Sequence, residues 1–290
     1  MIDTELQVSP SISTHRWDRV RQALLFSSQQ LSNCHLCERH CGVDRWGGQL
    51  GFCGVGAQSR YYSALVNYGE EPFLSPSYCI YFTGCEMRCI FCSAHEWVVR
   101  PGSGEMADIE TLAAGLNPSA RTVSFIGGNP SVNLHDILRF IDLARPAIPL
   151  CWNSNFYETP GTLEHLFGII DVFQADYKFG NDACAESLAK TPHYCEIVER
   201  NLLLVRDQGR LVIRHLLMPG HLDCCLLPIS RWVRANCPDA VFFLMTGYIP
   251  WGVVTRLRPT SPMCGRVSSD EISRAEEICD RQGLKWLKAG

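Results

Sequence analysis

Long apolar runs are missing from this chain. No stretch approaches the roughly 18–20 consecutive apolar residues of a membrane span, so neither a membrane segment nor a membrane partner is expected. Charge is also scarce, at 19% of residues, with a net charge of −4 and a pI near 6.1. That balance argues against a nucleic-acid surface and leaves a protein or peptide substrate open. The first residues carry Asp3, Glu5 and His15 without an apolar core, so no secretion signal is expected. No internal repeat is visible beyond an alternation of strand-like and helix-like segments.

Cysteine, by contrast, is abundant: 16 in 290 residues. A disulfide scaffold would be small and loop-rich. This chain is large enough for one α/β domain plus a small appendage. Thiolate ligation in a reducing cytoplasm is therefore the expected use. Seven cysteines fall in two ligand-like groups: Cys34, Cys37, Cys41 and Cys53, then Cys85, Cys89 and Cys92. The scattered remainder are expected to be mostly small buried hydrophobes.

Residues 1–30 read as a polar lead-in followed by a helix over 17–26. Residues 31–60 form a Cys/Gly-rich segment with too little apolar content for its own core. A connecting hairpin or loop is expected over 61–77. From residue 78, β-rich runs alternate with helical periodicity. The strands are expected at 78–83, 122–126, 149–153, 172–177, 211–217 and 241–245. The helices are expected at 109–116, 134–143, 163–170, 194–205 and 227–235. Ser268 and Glu271 have capping-box spacing for a last helix. Strand–helix repetition implies an α/β fold with a parallel sheet and right-handed crossovers, here a partial (β/α)6 barrel with its site at the C-terminal strand mouth. The expected domains are 1–77, an N-terminal helix with a Cys-rich metal-binding extension, and 78–290, the barrel with a C-terminal helix.

Cys85, Cys89 and Cys92 have C-x3-C-x2-C spacing directly after an apolar run. Three thiolates can hold three corners of a [4Fe–4S] cubane whose fourth iron stays open. An open position is what separates a catalytic metal site from a structural one. A zinc knuckle or a chance cluster of thiols is the plainer reading. With Phe91 just before the third cysteine, the loop resembles the radical S-adenosylmethionine (radical SAM) superfamily. Further motifs carry the same resemblance: His40, Cys41 and Arg45 within the first cysteine group, then Gly69, Glu70, Glu71 and Pro72, the pair Gly127–Gly128 with Asn129 and Pro130, the run Trp152, Asn153, Ser154 and Asn155, and the segment from Met218 to Cys225. Together they are similar to a largely uncharacterised radical SAM group labelled pyruvate formate-lyase activating enzyme-like.

The resemblance implies that SAM chelates the open iron and that the reduced cluster cleaves its sulfonium. The resulting 5′-deoxyadenosyl radical takes hydrogen from substrate. It also implies that Gly127, Gly128, Asn129 and Pro130 form the segment that contacts the methionine amine. Asn129 stands where many relatives have Glu; it offers a carbonyl acceptor but no charge. Asn153, Ser154 and Asn155 at a strand end would bond a ribose or the methionine carboxylate, although Asn and Ser also favour plain turns. Asp176 and Lys178 resemble the strand-ending Asp-x-Lys of activating enzymes, or form a surface pair of little weight. Arg214 corresponds to a basic residue near SAM.

His215 and His221 are weak candidates for acid/base work. Cys224 and Cys225 are weak candidates for a redox or hydrogen-donating thiol, since adjacent cysteines rarely bridge each other. Cys34, Cys37, Cys41 and Cys53 would hold zinc or an auxiliary iron–sulfur cluster, and their asymmetric spacing leans towards the cluster. The expected function is hydrogen abstraction from a protein or peptide, with glycyl-radical activation one form. The alternatives are radical modification of a small metabolite and a non-catalytic metal-binding or redox-sensing protein. An electron donor such as flavodoxin or ferredoxin is implied.

Overall fold

The computed structural model describes residues 14–258 and 260–289, so most of the expected polar lead-in lies outside the described residues. In chain order the elements are α1 (Thr14–Ser32), β1 (Arg60–Asn67), β2 (Ser77–Phe82), α2 (His95–Val99), β3 (Glu105–Met106), α3 (Ile109–Ala114), β4 (Thr122–Gly127), α4 (Leu134–Ala144) and β5 (Leu150–Ser154). They continue as α5 (Pro160–Glu164), β6 (Val172–Asp176), α6 (Asp182–Ala189), α7 (Tyr194–Val205), β7 (Arg210–Leu216), α8 (Leu227–Asn236), β8 (Val241–Met245), α9 (Ser269–Gln282) and β9 (Trp286–Ala289).

All strands join one open sheet in the order β3-β1-β2-β4-β5-β6-β7-β8-β9. From β2 to β9 every neighbouring pair is parallel. The α/β partial barrel expected from strand–helix alternation is the observed architecture. β1 pairs antiparallel with β2, so the expected hairpin or loop takes the hairpin form.

Strand parity divides the sheet into two faces. Successive side chains point to opposite sides. On the helix side, Phe125, Trp152, Phe173, Ile213 and Phe242 are fully buried in the main core. Burying each such side chain contributes about 1.5–3 kcal/mol relative to exposure. On the other side, Cys151, Val172, Val212, Val241 and Phe243 pack with Phe73 and Leu74 from the β1–β2 connection. Those two residues close the side of the sheet where the parallel strands begin. Two residues or more further along the same strands stand Asn153, Asp176, Arg214, Leu216 and Met245, and these line a cavity. One face of the sheet is thus dry where its strands start and polar where they end.

Two expectations need correction. The helix predicted over 163–170 is α5, which begins at Pro160 and stops at Glu164. Gly168 has φ +70, and a Cβ there would meet Arg19 Cδ at 2.8 Å, so the chain turns tightly where a helix was expected. The apolar spacing that suggested helix is still used, since Leu163, Leu166, Ile169 and Ile170 are buried. The sheet also continues past residue 245: β9 pairs with β8 from Trp286 to Ala289. The predicted capping box at Ser268 and Glu271 is present and starts α9. Among the described residues, no helix is long and apolar enough to cross a membrane.

Candidate functional site

The chain leaves β2 through Gly84, at φ +76, where a Cβ would meet Val55 Cγ2 at 2.2 Å. The loop that follows carries Cys85, Cys89 and Cys92. It is tied to α6 by Arg88 N–H to the Ala189 carbonyl (2.9 Å) and Ile90 N–H to the Leu188 carbonyl (2.8 Å). Gly128 crosses directly over this turn, since a Cβ on it would lie 1.9 Å from the Gly84 carbonyl oxygen. The paired glycines after β4 are therefore demanded first by a backbone crossing, which also brings their segment beside the cysteine loop.

The loop opens onto a cavity of about 560 Å³. Cys85, Cys89 and Cys92 line it, together with Gly127, Gly128, Asn129, Asn153, Ser154, Asn155, Asp176, Lys178 and Arg214. No other cysteine is in the lining. Of the residues predicted for the cofactor, Pro130 alone is not in the lining; it is buried at the start of a short turn. The sulfur of Cys85 accepts N–H bonds from Met87 (3.3 Å) and from the Asn155 amide (3.6 Å). Burial raises the Cys85 and Cys92 thiols. It also pushes Cys89 up to about 12, although the Lys178 ammonium opposes it. Metal binding would displace these protons.

Asn129 is committed on both sides. Its amide donates to Glu86 Oε1 (2.8 Å) and Ser131 Oγ (2.6 Å), and its carbonyl accepts from Asn155 N–H (3.1 Å). A carboxyl group thus lies next to Asn129, that of Glu86 from the cysteine loop, buried and outside the cavity lining. Burial, then the neighbouring Glu158, push Glu86 up to about 8. Glu158 is itself raised by burial, and it accepts from Ser154 Oγ and Trp152 Nε1. Sequence reasoning missed both acids. An acidic residue inside a short cysteine loop was the available signal for Glu86.

On the far wall Lys178 Nζ lies 2.6 Å from Asp176. Arg214 lies 3.4 Å from Asp176, 3.5 Å from Glu71 and 3.9 Å from Glu70. Burial would raise the Asp176 carboxyl, but Lys178 and then Arg214 outweigh it and hold it below the usual range. Gly247, Tyr248, Ile249 and Trp251, just beyond β8, complete the lining and were also missed. Ile249 is 54% and Trp251 56% exposed, a large apolar rim.

The four weak catalytic candidates are not in the lining. His215 falls on the helix side of β7, opposite in parity to Arg214. It is fully buried, stacked on Phe242, with Nδ1 2.9 Å from the Tyr177 carbonyl. Burial lowers it to about 4, so it stays neutral. His221, Cys224 and Cys225 instead gather with Cys184 from α6, all four ligand atoms within 4.8 Å of one another.

Of the N-terminal cysteines, Cys34, Cys37 and Cys53 are buried near one another, but no three of the four sulfurs lie within 4.8 Å of one another. Arg45 is buried and donates to Cys34 Sγ (3.0 Å), Cys53 Sγ (3.6 Å) and the Val132 carbonyl (2.7 Å). Cys37 is buried, bridging to the backbone at Glu158, and burial and then Glu86 raise its thiol. Cys41 is half-buried and accepts from Phe52 N–H at 3.4 Å.

Three thiols without a fourth match a cluster with one open iron. The cavity also holds Asn153, whose buried Nδ2 has no hydrogen-bond partner. An unpaired buried donor costs about 1–3 kcal/mol and calls for a polar ligand. A carboxylate with two cations beside it suits a zwitterion.

A family model described as "Radical SAM superfamily" matches residues 79–233. An uncharacterized protein of Methanocaldococcus jannaschii is 34% identical over 267 residues, covering 88% of this chain and 76% of that protein. Solved structures with lower similarity include a radical SAM methyltransferase from Sphaerobacter thermophilus, with TM-score 0.47 and 16% identity over 73% of this chain and 65% of that one. A domain of a pyruvate-formate lyase-activating enzyme from Bacteroides vulgatus matches with TM-score 0.44 and 17% identity, over 58% of this chain and 98% of that one. Streptococcus suis SuiB bound to precursor peptide SuiA matches with TM-score 0.45 and 15% identity, over 71% of this chain and 46% of that one. The chain thus spans less than two thirds of the methyltransferase and SuiB chains.

Proposed function

The chain belongs to the radical SAM superfamily, whose members are enzymes, and on that premise we propose that it abstracts hydrogen from a protein or peptide substrate, with Cys85, Cys89 and Cys92 holding a [4Fe–4S] cluster. The observation that carries this reading is the meeting of three thiols, without a fourth, and a charged polar wall in one cavity of about 560 Å³. When bound, the cluster and SAM supply reductive sulfonium cleavage and a carbon radical that takes a hydrogen atom.

The chain's own residues do the binding and positioning. Gly128 and Asn129 present backbone beside the cysteine loop. Asn153 offers its unpaired Nδ2, and Asn155 holds Cys85 through its amide. Lys178 and Arg214 offer cations to a carboxylate, while Asp176, kept ionised by both, offers an acceptor to an ammonium or hydroxyl. Tyr248 and Met245 give an apolar wall that limits water.

The exposed Trp251 and Ile249 at the rim favour a peptide or protein over a small metabolite, since such a patch gains most when a large partner covers it. Glycyl-radical activation is one form of that chemistry. The electron would come from a flavodoxin- or ferredoxin-like donor. A reducing cytoplasm suits the sixteen cysteines. Cys34, Cys37, Cys41 and Cys53 form a second metal site in this reading, either zinc or an auxiliary cluster. The buried Arg45 beside two of their sulfurs would balance its negative charge.

Deuterated peptides and metabolites distinguish the substrate classes. Deuterium passing from a peptide into 5′-deoxyadenosine supports the reading. Transfer only from a free small molecule, unaffected by Trp251→Ala, rejects the peptide assignment.

A further inference from the structure

We propose that Cys184, His221, Cys224 and Cys225 form a structural zinc site that staples the start of α6 to the segment after β7, independently of the cofactor chemistry proposed above. All four donor atoms lie within 4.8 Å of one another, and five of the six distances between them are near those of a tetrahedron. Cys184 Sγ to Cys224 Sγ and Cys224 Sγ to Cys225 Sγ are each 3.9 Å. His221 Nδ1 lies 3.2 Å from Cys224 Sγ, 3.7 Å from Cys184 Sγ and 3.8 Å from Cys225 Sγ. Zinc bound at usual lengths spaces sulfurs about 3.8 Å apart and places nitrogen about 3.6 Å from sulfur. A disulfide would need sulfurs at about 2.05 Å, and no pair is near that.

Local structure explains how adjacent cysteines can aim at one point. Residues Leu222–Leu226 form a wide π turn, with Leu226 N–H reaching the His221 carbonyl at 3.3 Å. Positions three and four after His221 then return to its side. Cys184 enters from the first turn of α6, where Asn181 caps the helix by accepting from Cys184 N–H at 2.8 Å. The amide of the same Asn181 donates to Cys184 Sγ (3.3 Å) and to the Cys224 carbonyl (2.7 Å), the outer-shell support that metal-bound sulfur commonly has. Gly180 lets the two segments touch, since a Cβ there would lie 2.6 Å from the Cys225 carbonyl oxygen.

Three sulfurs and one imidazole leave no open position, which marks a closed structural site and favours zinc among the common metals. Binding one Zn²⁺ releases the protons of three thiols and leaves a site of charge −1. The staple holds two segments that reach the cavity: Lys178 lies six residues before Cys184, and Arg214 lies seven before His221. Its role is to position that charged wall.

The test uses the full-length protein purified without oxygen, with zinc and iron counted together by mass spectrometry. The wild type is compared with Cys184→Ala/Cys224→Ala and with His221→Cys, which keeps four donors. The double variant is expected to hold about one zinc fewer per chain, the stoichiometry of a single four-ligand site, and His221→Cys to retain it. Cobalt(II) added to zinc-depleted wild type should give the strong visible bands of a tetrahedral thiolate site, weakened in the double variant. Equal zinc in the wild type and the double variant overturns the proposal. So does quantitative alkylation of Cys184, Cys224 and Cys225 in zinc-loaded wild type. Iron content and 5′-deoxyadenosine formation in the same samples report on the cluster separately, so the two readings fail independently.

Discussion

Cys85, Cys89 and Cys92 hang from one loop and face a cavity, whereas Cys184, His221, Cys224 and Cys225 come from α6 and from the segment between β7 and α8 and face one another. Both groups follow parallel strands at their C-terminal ends. The first lacks a fourth sulfur and is walled by Asp176, Lys178 and Arg214. The second has four donors, and none of them is in the lining of the cavity. An incomplete donor set beside charged, partly unpaired groups is what chemistry needs. A complete set with its own hydrogen-bonded support is what a joint between segments needs.

Replacing Cys85, Cys89 and Cys92 with Ala breaks the comparison most severely. Iron at the first site and SAM cleavage should both be abolished, while zinc at the second stays unchanged. Metal analysis and product assay on one preparation check this. Arg214→Met should come next. It leaves Asp176, Glu70 and Glu71 without their shared cation, and breaking a buried pair from one side costs about 3–5 kcal/mol. Chemical denaturation of the metal-free protein reads the loss, and SAM affinity should fall with it.

A pH series separates His215 from both sites. In the folded protein burial lowers its pKa from 6.5 to about 4. Below pH 6.5 the unfolded chain takes a proton that the folded chain refuses. The His215 contribution to stability is therefore full above pH 6.5 and declines as pH falls towards 4, by about 3 kcal/mol in all at 1.36 kcal/mol per unit. His215→Gln should flatten that part of the profile. The smallest effect is expected from Ser268→Ala, which removes the capping box of α9 at a cost of about 1 kcal/mol. Glu271 of that box also accepts Gly220 N–H at 2.8 Å, next to His221, so a melting shift without loss of zinc would show that the staple does not depend on the cap.

What could be read from the chain follows the same division. The strands and α7 emerge from local periodicity, and C-x3-C-x2-C spacing lies within one loop. Cys184 gave no such signal, because its partners stand about forty residues away and meet it only through the sheet. Glu86 and Glu158 were missed because their burial depends on how the N-terminal segment and β5 come together. Strand parity could have separated Arg214 from His215 in advance. Adjacent residues on a strand cannot both face the cavity.

The most direct measurement is electron paramagnetic resonance of the anaerobically reconstituted, reduced protein before and after adding SAM, with 5′-deoxyadenosine assayed in the same tube. A cubane signal that SAM shifts, accompanied by 5′-deoxyadenosine, is the result expected of a cluster held by Cys85, Cys89 and Cys92 with one iron open. A cubane signal that SAM leaves unaltered, or SAM cleavage that survives loss of all three cysteines, would contradict it.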